Sequence, residues 1–271
     1  MGKISLVVSD VDGTLVTTEK LLTERSRAAV ARLRAEGIGF TVISSRPPFG
    51  LAKLVGSLAL QLPLGAFNGA ALVAPDLTVL TRRTLTLQTT HDVIARFRAV
   101  SIDSWAFTGE RWLVENPDSP YVPLEIRTID TQPVVVADLM AHGDKVSKLV
   151  GVSANFAGLA AAEAQMRQIL SDRASVVRSQ RYYLDITPAE TNKGTLLAEL
   201  TRRLGIPRDE IVTLGDMEND VPMFRNSGFS IAMGNASAEV KRAATAVTLS
   251  NDEDGFAAAV EQIVLPRAGG S

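Results

Sequence analysis

The stretch that most limits how this chain can fold is Leu6-Val7-Val8-Ser9-Asp10-Val11-Asp12-Gly13-Thr14-Leu15. An apolar run of strand length ends in two carboxylates one residue apart, then a glycine. Side chains alternate along a strand, so a continued strand would put Asp10 and Asp12 on one face, where they repel. Gly13 permits a sharp turn just past the strand. Both carboxylates can then project from the sheet's carboxyl end, where open α/β sheets hold their ligands. Taken alone, the same residues also suit an acidic turn that caps the next segment.

Segments further along repeat the strand–helix rhythm. Thr23 suits a helix N-cap, Val30 and Leu33 share a face, and Gly37 suits a left-handed C-cap. Residues 39–43 read as a short buried strand that ends in Ser44-Ser45-Arg46-Pro47-Pro48, and 64–67 read as a third, followed by the turn signal Asn68-Gly69. Strands alternating with helices imply right-handed parallel crossovers, which gather Asp10, Ser44 and Asn68 at one sheet edge. From 86 to 185 the pattern changes to strands in series (121–129, 134–140 and 146–152 among them) with two or three helices. That is expected of an antiparallel sheet covered on one side. The alternation resumes with a helix at 193–204 and strands at 211–214, 229–232 and 246–249, and the end from 266 to 271 reads as a frayed tail. The expected fold is therefore α/β: a Rossmann-like parallel sheet with helices on both faces, formed by 1–85 and 186–271, plus an inserted α+β cap at 86–185.

Asp216 repeats the design of Asp10, an acid ending an apolar strand, and Asp220 follows in what reads as the first turn of a helix. Four carboxylates, Asp10, Asp12, Asp216 and Asp220, are expected to converge. Two like charges ~4 Å apart repel by roughly 4 kcal/mol at an effective dielectric near 20, so such a cluster must protonate or hold a cation. All-oxygen donors favour Mg²⁺. The chain has no cysteine and only two histidines, His91 and His142, which excludes thiolate sites and disfavours imidazole chemistry. Lys193 opens a helix against the dipole preference, either as a solvated lysine or to balance charge near the acids. Ser44 can cap a helix, or offer a hydroxyl and a backbone N–H to a phosphate oxygen. Acids that hold a cation, a carboxylate free to attack, a lysine and a serine are the parts of phosphoryl transfer through an aspartyl-phosphate.

With Ser44-Ser45-Arg46, Asn68-Gly69, Asn192-Lys193-Gly194, Gly215-Asp216-Met217-Glu218-Asn219-Asp220 and Met233-Gly234-Asn235-Ala236 following the first motif in order, the sequence resembles the haloacid dehalogenase-like hydrolases, in particular the Cof-type sugar-phosphatase branch with a large inserted cap. The resemblance implies Asp10 as nucleophile and Asp12 as general acid/base, in a dry, acid-rich site that raises the pKa of Asp12. It implies Mg²⁺ held by Asp10, the Asp12 main-chain carbonyl and Asp216, with Asp220 assisting directly or through water. Ser44 and Lys193 would hold the transferring group, and Asn219 would orient Asp216 or Lys193 or touch the phosphate. Ser45, Arg46, Asn68 and Asn235 stand at edge turns where substrate contact is plausible. Where the family usually has Thr-Gly-Arg, this chain has Ser44-Ser45-Arg46, which keeps the hydroxyl but stiffens the turn.

The expected activity is a Mg²⁺-dependent phosphatase acting on small phosphate monoesters such as sugar phosphates. A phosphotransferase or mutase, or a module that only binds a phosphorylated metabolite, uses many of the same groups. A net charge of −2 gives no footprint for nucleic acid or an anionic membrane. No apolar run approaches the ~18 residues of a membrane span, and a cytoplasmic location is the default expectation. In the cap, Trp105, Trp112, Tyr121, Tyr182 and Tyr183 fit a hydrophobic core better than a sugar-stacking surface.

Overall fold

A computed structural model describes residues 3–268. In chain order the first elements are β1 (Leu6–Ser9), α1 (Glu24–Ala35), β2 (Gly39–Val42), α2 (Ala52–Leu58), β3 (Leu64–Ala66), β4 (Ala71–Val73) and β5 (Val79–Arg82). Next come α3 (Leu87–Ala99), β6 (Asp103–Phe107), β7 (Trp112–Val114), α4 (Val122–Ile129), β8 (Val134–Val135), β9 (Lys148–Val152), α5 (Phe156–Leu170), β10 (Ala174–Gln180) and β11 (Tyr183–Pro188). The chain continues with α6 (Lys193–Leu204), β12 (Ile211–Gly215), α7 (Val221–Phe224), β13 (Phe229–Ala232), α8 (Ala238–Ala243), β14 (Ala246–Val247) and α9 (Gly255–Ala259).

Five strands form a wholly parallel sheet in the order β14-β13-β12-β1-β2. The side chains of β1 alternate between two cores. Val7 packs with Ala29, Val30 and Leu33 of α1 and with Phe256 and Val260. Leu6 and Val8 pack with Leu196, Leu197 and Leu200 of α6. Helices therefore cover both faces, and β1, buried at every position, runs through the middle. Local chemistry sets the ends as expected: the Thr23 hydroxyl accepts from the Ser26 N–H at 3.1 Å, and Gly37 takes a φ of 72°.

A six-stranded sheet, β10-β11-β9-β6-β7-β8, is antiparallel except for its β7–β8 edge. One face packs on α3 and α5 through Phe97, Leu149, Leu159 and Met166. On the other face Trp105, Phe107, Trp112 and Tyr183 join the same apolar cluster as Phe67 and Ile129. The two tryptophans and Tyr183 are thus core residues. Tyr121 and Tyr182 are only partly buried and stack with centroids 4.5 Å apart. Among the described residues no helix is long and apolar enough to cross a membrane.

Three expectations are corrected. The third strand, β3, meets the parallel sheet through a single bridge, Ile43 to Gly65, and pairs antiparallel with β4 in a three-stranded sheet, β3-β4-β5. Left-handed backbone at Phe67, Asn68 and Gly69 (φ 52°, 56° and 104°) reverses the chain there. Where a strand was expected over 121–129, residues 122–129 form α4, burying Val122, Glu125 and Ile129 on one helical face. The chain end is helical through Ala268 after a π turn at Val260–Val264, and the remainder of the expected tail, 269–271, lies outside the described residues.

Candidate active site

The carboxyl ends of β1 and β12 lie side by side and place Asp10 beside Asp216. The Asp10 N–H donates to the Leu214 carbonyl at 2.9 Å, which fixes its backbone at the sheet's end. Gly13, at a φ of 84°, turns the chain so closely over β12 that a Cβ there would lie 2.4 Å from Asp216 Oδ2. The neighbouring Thr14 hydroxyl donates to Asp216 Oδ1 at 3.1 Å, and Asn235 Nδ2 donates to Oδ2 at 3.2 Å and to the Gly13 carbonyl at 2.9 Å.

Asp220 comes from the turn that follows. Its Oδ2 accepts the Asp216 and Met217 N–H groups at 2.8 and 2.9 Å, and its Oδ1 accepts Lys193 Nζ at 2.6 Å. The same ammonium donates to Asp10 Oδ1 at 2.6 Å. Lys193 is the first residue of α6, whose N-cap Asn192 accepts from the Gly194 and Thr195 N–H groups, and it is only 1% exposed. It therefore balances charge inside the site and is not a solvated lysine.

Oxygens of Asp10, Asp216 and Asp220 all lie within 4.8 Å of one another. Were all three carboxylates ionised, one ammonium would leave two negative charges uncompensated. Burial, reinforced by Asp220 and Asp12, outweighs Lys193 and pushes the Asp10 carboxyl up to about 7. Burial together with Asp10 and Asp220 holds Asp216 well above the usual carboxylate range. A divalent, oxygen-seeking cation fits this donor set in charge and ligand type. Without one, stability is expected to fall as pH rises from about 4 to about 7. Between the unfolded value of 3.8 and about 7, the folded chain keeps a proton on Asp10 that the unfolded chain has released, so each step up in pH favours unfolding. Urea midpoints across this range, in EDTA and in saturating magnesium, check it. A flat profile in EDTA contradicts the charge assignment.

Asp12 departs from expectation. Its carboxylate is not in the cluster. It takes Arg46 on both oxygens, Nε to Oδ2 at 2.7 Å and Nη2 to Oδ1 at 2.8 Å, and Lys20 Nζ lies 3.0 Å from Oδ1. Burial alone would raise its pKa, but the two cations win and hold it far below the usual range. The expected upward shift is thereby overturned. Three carboxylates converge, not four.

The other expected residues divide. Ser44 is fully buried with its hydroxyl accepting the Arg46 N–H at 3.1 Å, but its own N–H is committed to the Gly65 carbonyl at 3.0 Å and is not free for a phosphate. Ser45 gives its carbonyl to Lys148 Nζ at 2.9 Å. Asn219 orients neither Asp216 nor Lys193. Its Nδ2 donates to Asn68 Oδ1 at 3.0 Å, and its own Oδ1 is buried without a partner. Arg46 spends its remaining donors on main chain, including the Thr128 carbonyl of α4 at 2.9 Å. His91 and His142 lie away from the cluster.

A cavity of about 20 Å³ separates this edge from the six-stranded sheet, lined by Asp12, Lys20, Arg46, Glu125, Lys148 and Tyr182. It has room for about one water. Sequence reasoning missed Lys20, Glu125 and Lys148. Two of these carried a signal: a lone lysine inside the apolar strand run of β9 and a lone acid on the buried face of α4.

The pattern that describes haloacid dehalogenase-like hydrolases matches residues 7–260. A 5-amino-6-(5-phospho-D-ribitylamino)uracil phosphatase of Bacillus subtilis, YwtE, is 26% identical over 95% of this chain and 97% of its own. The crystal structure of a haloacid dehalogenase-like hydrolase from Bacteroides thetaiotaomicron superposes with a TM-score of 0.85 at 28% identity, covering 96% of this chain and 100% of that one. The subclass IIB sugar phosphatase BT4131 shares the fold, with a TM-score of 0.81 at 21% identity over 96% of this chain and 99% of its own. The chain belongs to the haloacid dehalogenase-like hydrolases.

Proposed function

We propose that this enzyme hydrolyses small phosphate monoesters, sugar phosphates foremost, by passing the phosphoryl group to Asp10 and then to water. The observation that carries the reading is the buried Lys193 ammonium, 2.6 Å from both Asp10 and Asp220 in a cluster with Asp216. Names of relatives support it, since three are called 5-amino-6-(5-phospho-D-ribitylamino)uracil phosphatases and a structural neighbour is called a sugar phosphatase.

A phosphate monoester is close to a dianion at neutral pH, and Asp10 must approach it as an anion. Asp10 and Asp216 would hold Mg²⁺, which would supply Lewis-acid charge neutralisation. Asp220, its oxygens occupied by Lys193 and two N–H groups, fixes the loop and the lysine. An Asp10 oxygen forms a bond to phosphorus as the bond to the leaving oxygen breaks. Asp12 gives that oxygen a proton. Water then attacks the phosphorus of the aspartyl-phosphate, Asp12 takes the proton back, and inorganic phosphate and free Asp10 result. Lys193 steadies the charge on the transferring group, and the Ser44 hydroxyl, whose oxygen accepts the Arg46 N–H, keeps its own proton to donate to it. Arg46 and Lys20 keep Asp12 ionised, the form needed as base. Its acid role requires that their grip loosen when substrate enters. Residues 86–185 act as the lid that excludes water.

The test is inorganic phosphate release from a panel of sugar, polyol and ribitylamino-uracil phosphates, with magnesium and with EDTA. Release from at least one member that EDTA abolishes is expected. Phosphate found on an isomeric sugar instead of in solution would make the enzyme a mutase, and tight binding without turnover would make it a sensor.

A further inference from the structure

We infer that Glu125 is a specificity-determining residue whose free carboxylate oxygen accepts a hydrogen bond from a hydroxyl of an uncharged, polyhydroxylated leaving group. The inference rests on the phosphatase reading and deepens it.

The first observation is an acid where packing calls for an apolar residue. Glu125 lies on the buried face of α4 with Val122 and Ile129 and is only 6% exposed. Among the described residues its Oε2 accepts the Tyr183 hydroxyl at 3.1 Å, and its Oε1 accepts nothing. A buried carboxylate that keeps one oxygen unpartnered costs stability. Burial raises its pKa and Lys148 recovers only part of the shift, so the protein alone under-solvates this group. A hydrogen-bond donor brought by a ligand supplies what is missing.

The second observation is position. Glu125 lines the cavity of about 20 Å³ together with Asp12, the residue that serves the leaving oxygen. Ser179, Gln180 and the ring of Tyr182, stacked on Tyr121 at 4.5 Å, add uncharged polar groups and an aromatic wall on the same side. Such a lining suits a carbon chain that bears hydroxyls. The gap has room for about one water, so the leaving group is seated as the lid opens and recloses. Glu125, carried on α4 of that lid, meets it in the closed state.

The third is charge. The cations of the cavity are committed elsewhere: Arg46 lies 2.7 Å and Lys20 3.0 Å from Asp12, and Lys148 lies 3.4 Å from Asp185. With Glu125 added, three acids meet three cations. A leaving group with a charge of its own upsets that balance, whereas a hydroxyl brings a donor and no charge.

Three six-carbon monoesters test this: glucose 6-phosphate, glucosamine 6-phosphate, which adds an ammonium, and n-hexyl phosphate, which has no hydroxyl. Affinities are measured by calorimetry with magnesium in an Asp10→Asn background, so that the result stands whether or not turnover occurs. With Glu125 in place, glucose 6-phosphate is expected to bind most tightly. Glu125→Leu is expected to weaken it by about tenfold or more and to change n-hexyl phosphate by less than about twofold. Leucine suits the buried face of α4. Adding Tyr183→Phe removes the hydroxyl that Glu125→Leu strands, so the double variant is expected to fold and to show the same selective loss, with melting temperatures read alongside. Equal loss on glucose 6-phosphate and n-hexyl phosphate, or no tighter binding of glucose 6-phosphate while Glu125 is in place, overturns the proposal and leaves Glu125 as a partner for Tyr183. Tightest binding of glucosamine 6-phosphate, lost in Glu125→Leu, overturns the hydroxyl and assigns the oxygen to an ammonium. Failure of chains with intact Asp10 to release phosphate, with the affinity pattern unchanged, overturns the phosphatase reading alone.

Discussion

Asp10→Asn is expected to lower kcat for phosphate release by at least about 10³-fold, while the melting temperature in EDTA stays level or rises. The two readouts diverge because one substitution acts on chemistry and stability with opposite sign. An amide oxygen is a poor nucleophile and cannot carry a phosphoryl group stably, so the covalent route closes. In the metal-free fold, however, burial pushes the Asp10 carboxyl up to about 7, so at neutral pH its charged form is stabilised little or not at all by folding. A neutral amide removes one of the three crowded carboxylates. The penalty is local: an Asn NH₂ turned toward Lys193 Nζ, 2.6 Å from Oδ1 in the parent, must rotate so that its oxygen faces the ammonium. Intact-protein mass spectrometry of samples quenched during turnover adds a direct readout, the mass of one phosphoryl group on the parent and none on the variant. Activity within tenfold of the parent would remove Asp10 from the role of nucleophile.

How much of this was legible in the sequence depends on the range of the interaction. Asp10, Gly13 and Asp216 could be read because each belongs to a local pattern, an apolar strand broken by an acid and a turn. Lys193 could be read because a lysine in a first helical turn conflicts with the dipole. Arg46 could not, because what it does depends on Asp12, 34 residues away, and on the Thr128 carbonyl, 82 residues away. The same holds for the low pKa of Asp12, which follows from two cations that sequence spacing does not place. Helix α4 was hidden by its own composition: Val122, Leu124 and Ile126 alternate like a strand, while its buried face runs Val122, Glu125, Ile129. Glu125 on that face accepts the Tyr183 hydroxyl at 3.1 Å, and this long-range partner lets an acid occupy a buried position.

Lys193→Met is expected to destabilise the metal-free protein by about 3–5 kcal/mol at neutral pH, the usual cost of removing one partner from a buried ion pair. For a chain of this size that is a fall of roughly 6–20 °C in melting temperature. Methionine fills much of the lysine's volume, so the loss is electrostatic more than steric. Asp10 and Asp220 each give up a 2.6 Å contact, and with Asp216 they face one another in a site where water cannot screen them. Asp10 and Asp220 also pull the Lys193 pKa upward against the effect of burial, which marks the ammonium as firmly held. Two conditions should reverse the deficit. Magnesium at 100 times its dissociation constant returns about 2.7 kcal/mol by mass action if the variant still binds it. Acid returns stability because protonated carboxyls no longer need a cation, so the gap between variant and parent should narrow as pH falls toward about 4. Activity should not return with magnesium, because the ammonium also neutralises the group in flight. A further loss of about 10²-fold or more in kcat is expected even when the fold is rescued. Melting curves of both chains in EDTA and in magnesium, at neutral and acid pH, read every part of this. A variant as stable as the parent in EDTA at neutral pH would mean that the carboxylates shed their charge without help from Lys193, and the charge-balancing role of the ammonium would fall with it.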